Sequence, residues 1–495
     1  MHIKSFIALG VLISAASLSG CKTGLFGGEA PAVPAPVAPS APIVVGGTRT
    51  SYADVVEKTS PAVVRIEAEH KNRPSAVQQN PLGDDDFFRQ FPMPRQNQRP
   101  PVERGMGSGV IVSADGTILT NAHVVDGAEK ITVLLNDNKT FEAKLVGIDK
   151  PSDLAVLKIE AQNMPFLTLG NSDGVRVGDI VLAIGNPLGI GQSVTAGIIS
   201  AKGRRTGLSD GSFEDFLQTD APINRGNSGG ALVNLNSELI GINSQILAGG
   251  PSGGNIGIGF SIPSNMAKSV MEQLLTNGRV RRGMLGVNIQ TLTEDTAKAL
   301  DLQNVTGVLV SNVRPGSSAE KAGVKRGDII TAINGEKIDD GNVLRNKVAS
   351  SLPGSELKLT VLRDGANVEL TATLDEFDLD KETASDPNSK DNGPTVEKQS
   401  KSGKLGLTLQ SVTPQIAKQL GLASDNEGVV VTDVDQSGVG ADAGIGRGDV
   451  LLEVNRVAVN TPESVQAALE KAGEKPVLLL IARKGQTIYM TVRPQ

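Results

Sequence analysis

Tryptophan is absent from this 495-residue chain, cysteine occurs once, tyrosine twice and histidine three times. One thiol cannot close an internal disulfide, nor can it supply a Cys-rich zinc or iron–sulfur site. Histidines at positions 2, 70 and 123 leave imidazole chemistry few places to operate. Positive charge is not in excess: 48 Lys plus Arg against 54 Asp plus Glu gives a formal net charge of −6. Nucleic-acid binding needs a concentrated basic surface, so nucleic acid is not expected as the main partner. The sequence offers no metal cluster and no nucleotide loop, and no cofactor is expected. Glycine, by contrast, is abundant. Its 57 residues exceed the ~7% of average proteins and point to tight turns between short strands rather than to a helical bundle. The length suggests about three domains.

Residues Met1 to Cys21 have the layout of an export signal: Lys4, an apolar core from Phe6 to Ala16, then small residues. The core is too short to stay in a bilayer as a spanning helix. Leu18-Ser19-Gly20-Cys21 resembles the lipobox of bacterial lipoproteins and contains the one cysteine of the chain. A periplasmic protein lipidated on Cys21, and so tethered to a membrane, is expected; an ordinary secretory signal is the alternative. Residues 22–48, rich in Pro, Ala, Gly and Val, read as a spacer.

From about Ser51 to Pro263, short β-prone runs are bounded by turn residues. They include Ala62–Ile66, Ile131–Leu135, Leu154–Ile159, Ile180–Ile184 and Leu239–Ile242, and Asp115-Gly116 is a hairpin signal. An antiparallel barrel or sandwich follows. A helix is then expected, with Ser264 as cap, Met266, Val270 and Leu274 on one face, and Gly278 as stop. The polar, Pro-broken stretch from His70 to Gly105, with Phe87, Phe88 and Phe91 inside it, reads as a long loop.

Three segments carry chemistry. In Asn224-Arg225-Gly226-Asn227-Ser228-Gly229-Gly230, glycines flank a serine, allowing a sharp turn that aims amide N–H groups at one spot. Acyl transfer needs such a hydroxyl beside oxyanion donors. The serine needs a base, and Arg225 is always protonated. His123, in Leu119-Thr120-Asn121-Ala122-His123-Val124-Val125, is the remaining choice. Asp153, at the mouth of an apolar strand in Ser152-Asp153-Leu154-Ala155-Val156-Leu157, can orient the imidazole. Asp149 and Asp126 are rival orienters.

The order His, Asp, Ser resembles that of chymotrypsin-like double β-barrel proteases. The wording of these segments, with Gln218-Thr219-Asp220-Ala221, is similar to the HtrA (Deg) family of PDZ-bearing serine proteases. The resemblance implies a mainly β fold: a double β-barrel protease domain followed by two small α+β PDZ domains. It makes His123, Asp153 and Ser228 the catalytic set, puts the oxyanion donors at Gly226 and Ser228 with Asn227 beside them, and gives Ile246 and Ile258 as specificity-pocket walls. The neutral Asn227 offers no ion pair to a new N-terminus. Control is therefore expected from loops at Arg204 to Phe216 and Ala248 to Asn255.

The C-terminal part repeats itself. Ala322-Gly323-Val324-Lys325-Arg326-Gly327-Asp328-Ile329-Ile330 aligns with Ala443-Gly444-Ile445-Gly446-Arg447-Gly448-Asp449-Val450-Leu451. Leu285-Gly286-Val287 answers Leu405-Gly406-Leu407, and Thr461-Pro462 starts a helix. Each copy resembles a PDZ domain, which pairs with an extended peptide and holds its C-terminal carboxylate on loop amides. By that resemblance the amides are those of Leu285, Gly286 and Val287, and of Leu405, Gly406 and Leu407.

The expected organisation is thus 1–21 signal, 22–48 linker, 49–278 protease, 279–376 first PDZ domain, 377–403 linker and 404–495 second PDZ domain. Its function reads as a serine endopeptidase of the bacterial envelope that degrades unfolded or mislocalised proteins and binds peptide C-termini. Family resemblance also implies homotrimers or their multiples, with Tyr52 a candidate contact. A chaperone or scaffold with minor proteolysis and a narrow regulatory protease are the alternatives.

Overall fold

The computed structural model describes residues 44–45, 48–49, 51–70, 103–186, 191–206, 213–224, 226–249, 254–302, 305–377, 405–420, 428–473, 475–483 and 486–493. The signal with Cys21, most of the 22–48 spacer, residues 71–102 with Phe87, Phe88 and Phe91, residues 207–212 and 250–253 of the two expected control loops, Arg225 and the 378–403 linker lie outside the described residues. The ends of the expected His70 to Gly105 loop, His70 and residues 103–105, are strand. In a first unit, residues 1–51, β1 (Val44–Val45) pairs antiparallel with β2 (Thr48–Arg49).

The second unit opens with α1 (Ala53–Thr59) and a closed six-stranded barrel. Its strands are β3 (Val63–His70), β4 (Glu103–Ile111), β5 (Thr117–Thr120), β6 (Lys130–Leu134), β7 (Thr140–Asp149) and β8 (Leu154–Ile159), ordered β3-β4-β5-β8-β7-β6. The short helix α2 (Ala122–Val125) follows β5. Closure removes exposed sheet edges, and Leu154 to Leu157 are buried without interruption. At the expected hairpin, Asp115 Oδ1 accepts from Thr117 N–H at 3.1 Å. Gly116 takes φ +86° there.

A second closed barrel comprises β9 (Ile180–Gly185), β10 (Ser193–Arg204), β11 (Phe216–Thr219), β12 (Ala231–Asn234), β13 (Leu239–Gly249) and β14 (Gly254–Pro263), ordered β10-β11-β14-β13-β12-β9. One apolar cluster joins the barrels: Leu182, Ile184 and Ile242 pack with Ile66, Val110 and Leu157. Helix α3 (Ser264–Asn277) seals the junction with Val270 and Leu274, and ends at Gly278 in the left-handed region. Ser264 corrects the sequence reading: it is the first helical residue and not a cap. Its hydroxyl instead donates to Gly170 C=O at 2.7 Å, fastening the helix to the barrel.

The two repeats fold alike. The first contains β15 (Gly283–Met284), β16 (Val287–Thr291), α4 (Glu294–Ala299), β17 (Val308–Val313), α5 (Ser318–Lys321), β18 (Ile329–Ile333), β19 (Glu336–Lys337), α6 (Gly341–Ser350), β20 (Glu356–Arg363), β21 (Ala366–Thr373) and β22 (Asp375–Glu376). The second contains β23 (Leu407–Ser411), α7 (Pro414–Leu420), β24 (Val429–Val434), α8 (Val439–Asp442), β25 (Val450–Val454), β26 (Val457–Ala458), α9 (Pro462–Ala472), β27 (Val477–Arg483) and β28 (Gln486–Val492). Their sheets run β16-β17-β18-β20-β21 and β23-β24-β25-β27-β28. The repeated Gly-Asp pair has a structural reason. Asp328 is buried and takes two 2.8 Å bonds from Arg363, and Asp449 takes bonds of 2.7 and 2.6 Å from Arg483. Helix α9 begins as its sequence suggests, with Thr461 and Ser464 forming a capping box around Pro462.

Candidate functional site

The three chemical segments meet where the barrels meet. Helix α2 presents His123 and the turn before β8 presents Asp153, both from the first barrel. His123 Nδ1 lies 2.9 Å from each Asp153 oxygen. His123 N–H also donates to Asp153 Oδ1 at 3.0 Å, so backbone and ring clasp one carboxylate. Asp153 adopts φ 55°, ψ 41°, a left-handed conformation that Asp tolerates better than most residues. That turn leaves its carbonyl to accept from Ala122 N–H and Asn121 Nδ2, which ties helix and turn together.

The rival acids are engaged elsewhere. Asp126 pairs with Lys150 at 2.7 Å. Asp149 is buried and bound to Arg282 Nη1 at 2.8 Å, and it also accepts from the Ser152 hydroxyl.

Ser228 comes from the second barrel, in the turn before β12. Asn227 N–H donates to Asn224 C=O, Gly229 N–H to Asn243 C=O and Gly230 N–H to Asn227 C=O. The glycines are demanded by space: a Cβ on Gly229 would overlap Ser108 O and Thr120 Oγ1, and one on Gly230 would overlap Ile184 O. Gly226 has φ +98°, where any side chain is strained. Asn227 is buried, and its Oδ1 has no hydrogen-bond partner among the described residues. Gly107 on β4 separates the His123 helix from Ser228. A Cβ there would meet Val124 Cγ1 at 2.7 Å and Ser228 O at 3.3 Å.

Sequence reasoning missed Ser244. Its hydroxyl donates to Asp153 Oδ2 at 2.8 Å, although Ser244 lies on β13 of the other barrel. The neighbouring Asn243 accepts from Gly229 N–H and donates to Gly230 C=O, at 2.8 and 2.9 Å. One short stretch of β13 thus holds both the acid and the serine turn. The sequence shows only that the polar pair Asn243-Ser244 ends the apolar run Leu239-Ile240-Gly241-Ile242, which does not reveal a partner 91 residues away.

Two expected pocket walls are not brought together. Ile246 pairs with Gly259 across β13 and β14 and packs on the second-barrel core. Ile258, adjacent to Gly259 in sequence, therefore faces the other side, against the cluster shared by both barrels.

In the repeats, Leu285 C=O accepts from Ala319 N–H and Gly286 C=O from Arg314 N–H. A trans peptide sets C=O and N–H in opposite directions, so the Gly286 and Val287 N–H groups turn away from the domain body. Leu405 and Gly406 carbonyls are held the same way by Gly440 and Asp435 N–H groups, turning Gly406 and Leu407 N–H outward. Each loop leads into an edge strand, β16 or β23. The first repeat rests on the protease part: Asn342 and Asn346 of α6 donate to Glu214 C=O at 3.0 and 2.9 Å. Arg282 stacks on Phe213, its guanidinium 4.7 Å from the ring centre.

Comparison with known families matches residues 107–242 to the trypsin-like peptidase domain. Residues 283–374 and 430–483 each match a PDZ domain. A probable periplasmic serine endoprotease, DegP-like, of Chlamydia trachomatis is 42% identical over 447 residues, covering 87% of this chain and 86% of that protein. The periplasmic pH-dependent serine endoprotease DegQ of Escherichia coli is 41% identical over 465 residues, covering 93% and 94%. Among solved structures, the HtrA-type protease AlgW with tripeptide is 43% identical at a TM-score of 0.54, covering 66% of this chain and 98% of that one.

Proposed function

Because this chain belongs to the HtrA-type family of DegP- and DegQ-like serine endoproteases, we propose that it cleaves unfolded or mislocalised proteins in the bacterial periplasm with His123, Asp153 and Ser228. The observation that carries the assignment is the Asp153 carboxylate, which grips His123 through Nδ1 while Ser244 grips the carboxylate from the second barrel. Nδ1 carries the ring proton toward Asp153, leaving Nε2 as the base. Ser228 Oγ attacks the scissile carbonyl carbon and its proton passes to Nε2. The Gly226 and Ser228 N–H groups stabilise the tetrahedral oxyanion. Nε2 then protonates the departing amine, and water repeats the sequence on the acyl-enzyme.

Ser228→Ala and His123→Ala chains should fold and lose casein cleavage. Ser228→Ala should also lose labelling by a fluorophosphonate, and wild-type turnover by the His123 variant would sink the assignment.

The outward amides beside β16 fit a peptide that ends in a free carboxylate, bound as an added strand. The same loop beside β23 suits a second peptide. Cys21 is the proposed lipid-attachment residue, on the lipobox pattern that precedes it. Homotrimer formation, with Tyr52 as the candidate contact, is carried over from the family. An apolar patch on the second barrel, where Ile180 and Ile198 are cross-strand partners left 38% and 39% exposed, with Val177 and Val194 also exposed, is a second surface for self-association. Contiguous exposed apolar patches mark interaction sites.

A further inference from the structure

One buried hydroxyl touches the Ser228 turn without belonging to the His123, Asp153 and Ser244 cluster. Ser108 stands on β4 between Gly107 and Gly109 with 0% of its surface exposed. Its Oγ accepts from Asn186 N–H at 2.8 Å and donates to Gly226 C=O at 2.6 Å. A serine hydroxyl has one proton. With the Asn186 N–H aimed at a lone pair, that proton is committed to Gly226. The Ser108 backbone N–H donates to Ser228 C=O at 2.8 Å, and its carbonyl accepts from Thr120 Oγ1 at 2.7 Å. One residue of the first barrel thus holds the carbonyls on both sides of the Asn227-Ser228 step.

The consequence falls on the oxyanion donor. The Gly226–Asn227 peptide plane is fixed at both ends, its oxygen by Ser108 and its N–H by Asn224 C=O at 3.0 Å. The plane before it, which carries the Gly226 N–H, meets this one at Gly226. That residue is held at φ +98°, where glycine has wide freedom and other residues have little. A floppy hinge beside a donor needs an external anchor.

We propose that Ser108 is a positioning residue for the reaction: its hydroxyl anchors the Gly226 carbonyl and so keeps the Gly226 N–H aimed at the substrate oxygen. The proposal rests on the reading of Ser228 as nucleophile.

The test uses full-length Ser108→Ala and Ser108→Cys with a short chromogenic peptide, with rates expressed per active site after exhaustive fluorophosphonate titration. Inhibition by a peptide boronate, which forms a tetrahedral adduct on serine, is measured beside them. Deleting an oxyanion donor outright costs about 10²–10³ in kcat. Loosening one is expected to lower kcat about 10–100-fold with KM changed less than about threefold. Boronate affinity should fall by the same factor as kcat, and the cysteine variant should lie between alanine and wild type. A purely structural hydroxyl would lower the melting temperature and the titratable fraction only. Per-site kcat within about twofold of wild type, in either variant that folds, overturns the proposal. Ser228→Ala run in parallel separates the two claims: residual hydrolysis or labelling there overturns the nucleophile and the anchor with it, whereas an inert Ser228→Ala beside Ser108 variants of wild-type per-site kcat overturns the anchor alone.

Discussion

Arg282 and Asp149 form a buried ion pair with bonds of 2.8 and 2.5 Å, and Asp149 lies four residues before Asp153. The residue that leads into the first PDZ domain therefore grips the turn that supplies the imidazole's acid. Removing one partner of a buried pair costs about 3–5 kcal/mol, because the other charge stays desolvated. Arg282→Ala should lower the melting temperature and the basal rate together. Arg282→Met combined with Asp149→Leu should restore much of both, and a double variant no better than the single one would remove Asp149 as the reason.

Within the catalytic set, Asp153→Asn is expected to reduce kcat by about 10⁴ through loss of the correct imidazole tautomer. Ser244→Ala removes one hydrogen bond to a charged group, a contribution of about 1.5–3 kcal/mol, and should reduce kcat roughly 10–100-fold. Equal losses in the two variants would mean that Ser244 does more than hold the carboxylate.

Asp215, at the seam between the second barrel and α6, has its pKa raised by burial and then by the nearby Asp173, against the opposing pull of Lys202, Asn346 and Lys347. An acid that is harder to ionise when folded weakens the fold once it ionises. This penalty is absent below the ordinary carboxylate pKa of about 4, grows as pH rises from there toward the raised value, and is complete above it. Asp215→Asn should therefore raise the melting temperature near pH 7 by a few degrees, about 2 °C, and the gain should vanish toward pH 4. A gain that is the same at both pH values would exclude the carboxyl as its source.

A peptide with an apolar last residue and a free carboxylate should bind the first PDZ domain and speed hydrolysis of a small chromogenic substrate. Asn227 offers no ion pair to order the oxyanion turn, and the α6 contacts to Glu214 and the Arg282–Asp149 pair are the links through which this domain can bias it. A ligand shifts that balance only by preferring the active arrangement, and a coupling of about 1–3 kcal/mol gives a 5–150-fold effect. C-terminal amidation should abolish it. An unchanged rate would leave this domain as a tether.

Location and assembly have separate tests. Cys21→Ser should move the protein from the membrane to the soluble periplasmic fraction, and mass spectrometry of the mature N-terminus without an acyl group would end the lipid assignment. Sedimentation should show a trimer, and Ile180→Asp should weaken it if the second-barrel patch is the contact, because a desolvated charge would face each copy. An unchanged assembly would leave Tyr52 as the contact, and a monomeric wild type would end the trimer assignment.

Elements set by local chemistry were readable in advance. Leu154–Ile159, the Asp115-Gly116 turn and the Thr461-Pro462 helix start each carry their cause within a few residues. The His123, Asp153 and Ser228 segments were readable through their glycine and polar punctuation. Ser244 and Ser108 were not, since their partners lie 91 and 118 residues away and nothing in Asn243-Ser244-Gln245 or Gly107-Ser108-Gly109 marks a buried anchor. The faces of Ile246 and Ile258 were obscured by register shifts between Asn243 and Gln245 and between Ile246 and Ala248. An irregularity of one residue reverses a side chain's direction. Ser264 failed as a cap because a tertiary partner, Gly170, claimed its hydroxyl.

The division of the reactive groups between two barrels acquires a meaning in time. A chain that emerges N-terminus first delivers His123 and Asp153 well before Ser228, and domains generally fold in that order. The first barrel can close while the nucleophile is still in transit, and the acid remains without Ser244 until β13 pairs. On the proposed catalytic set, the site is therefore complete only after the second barrel has formed on the first.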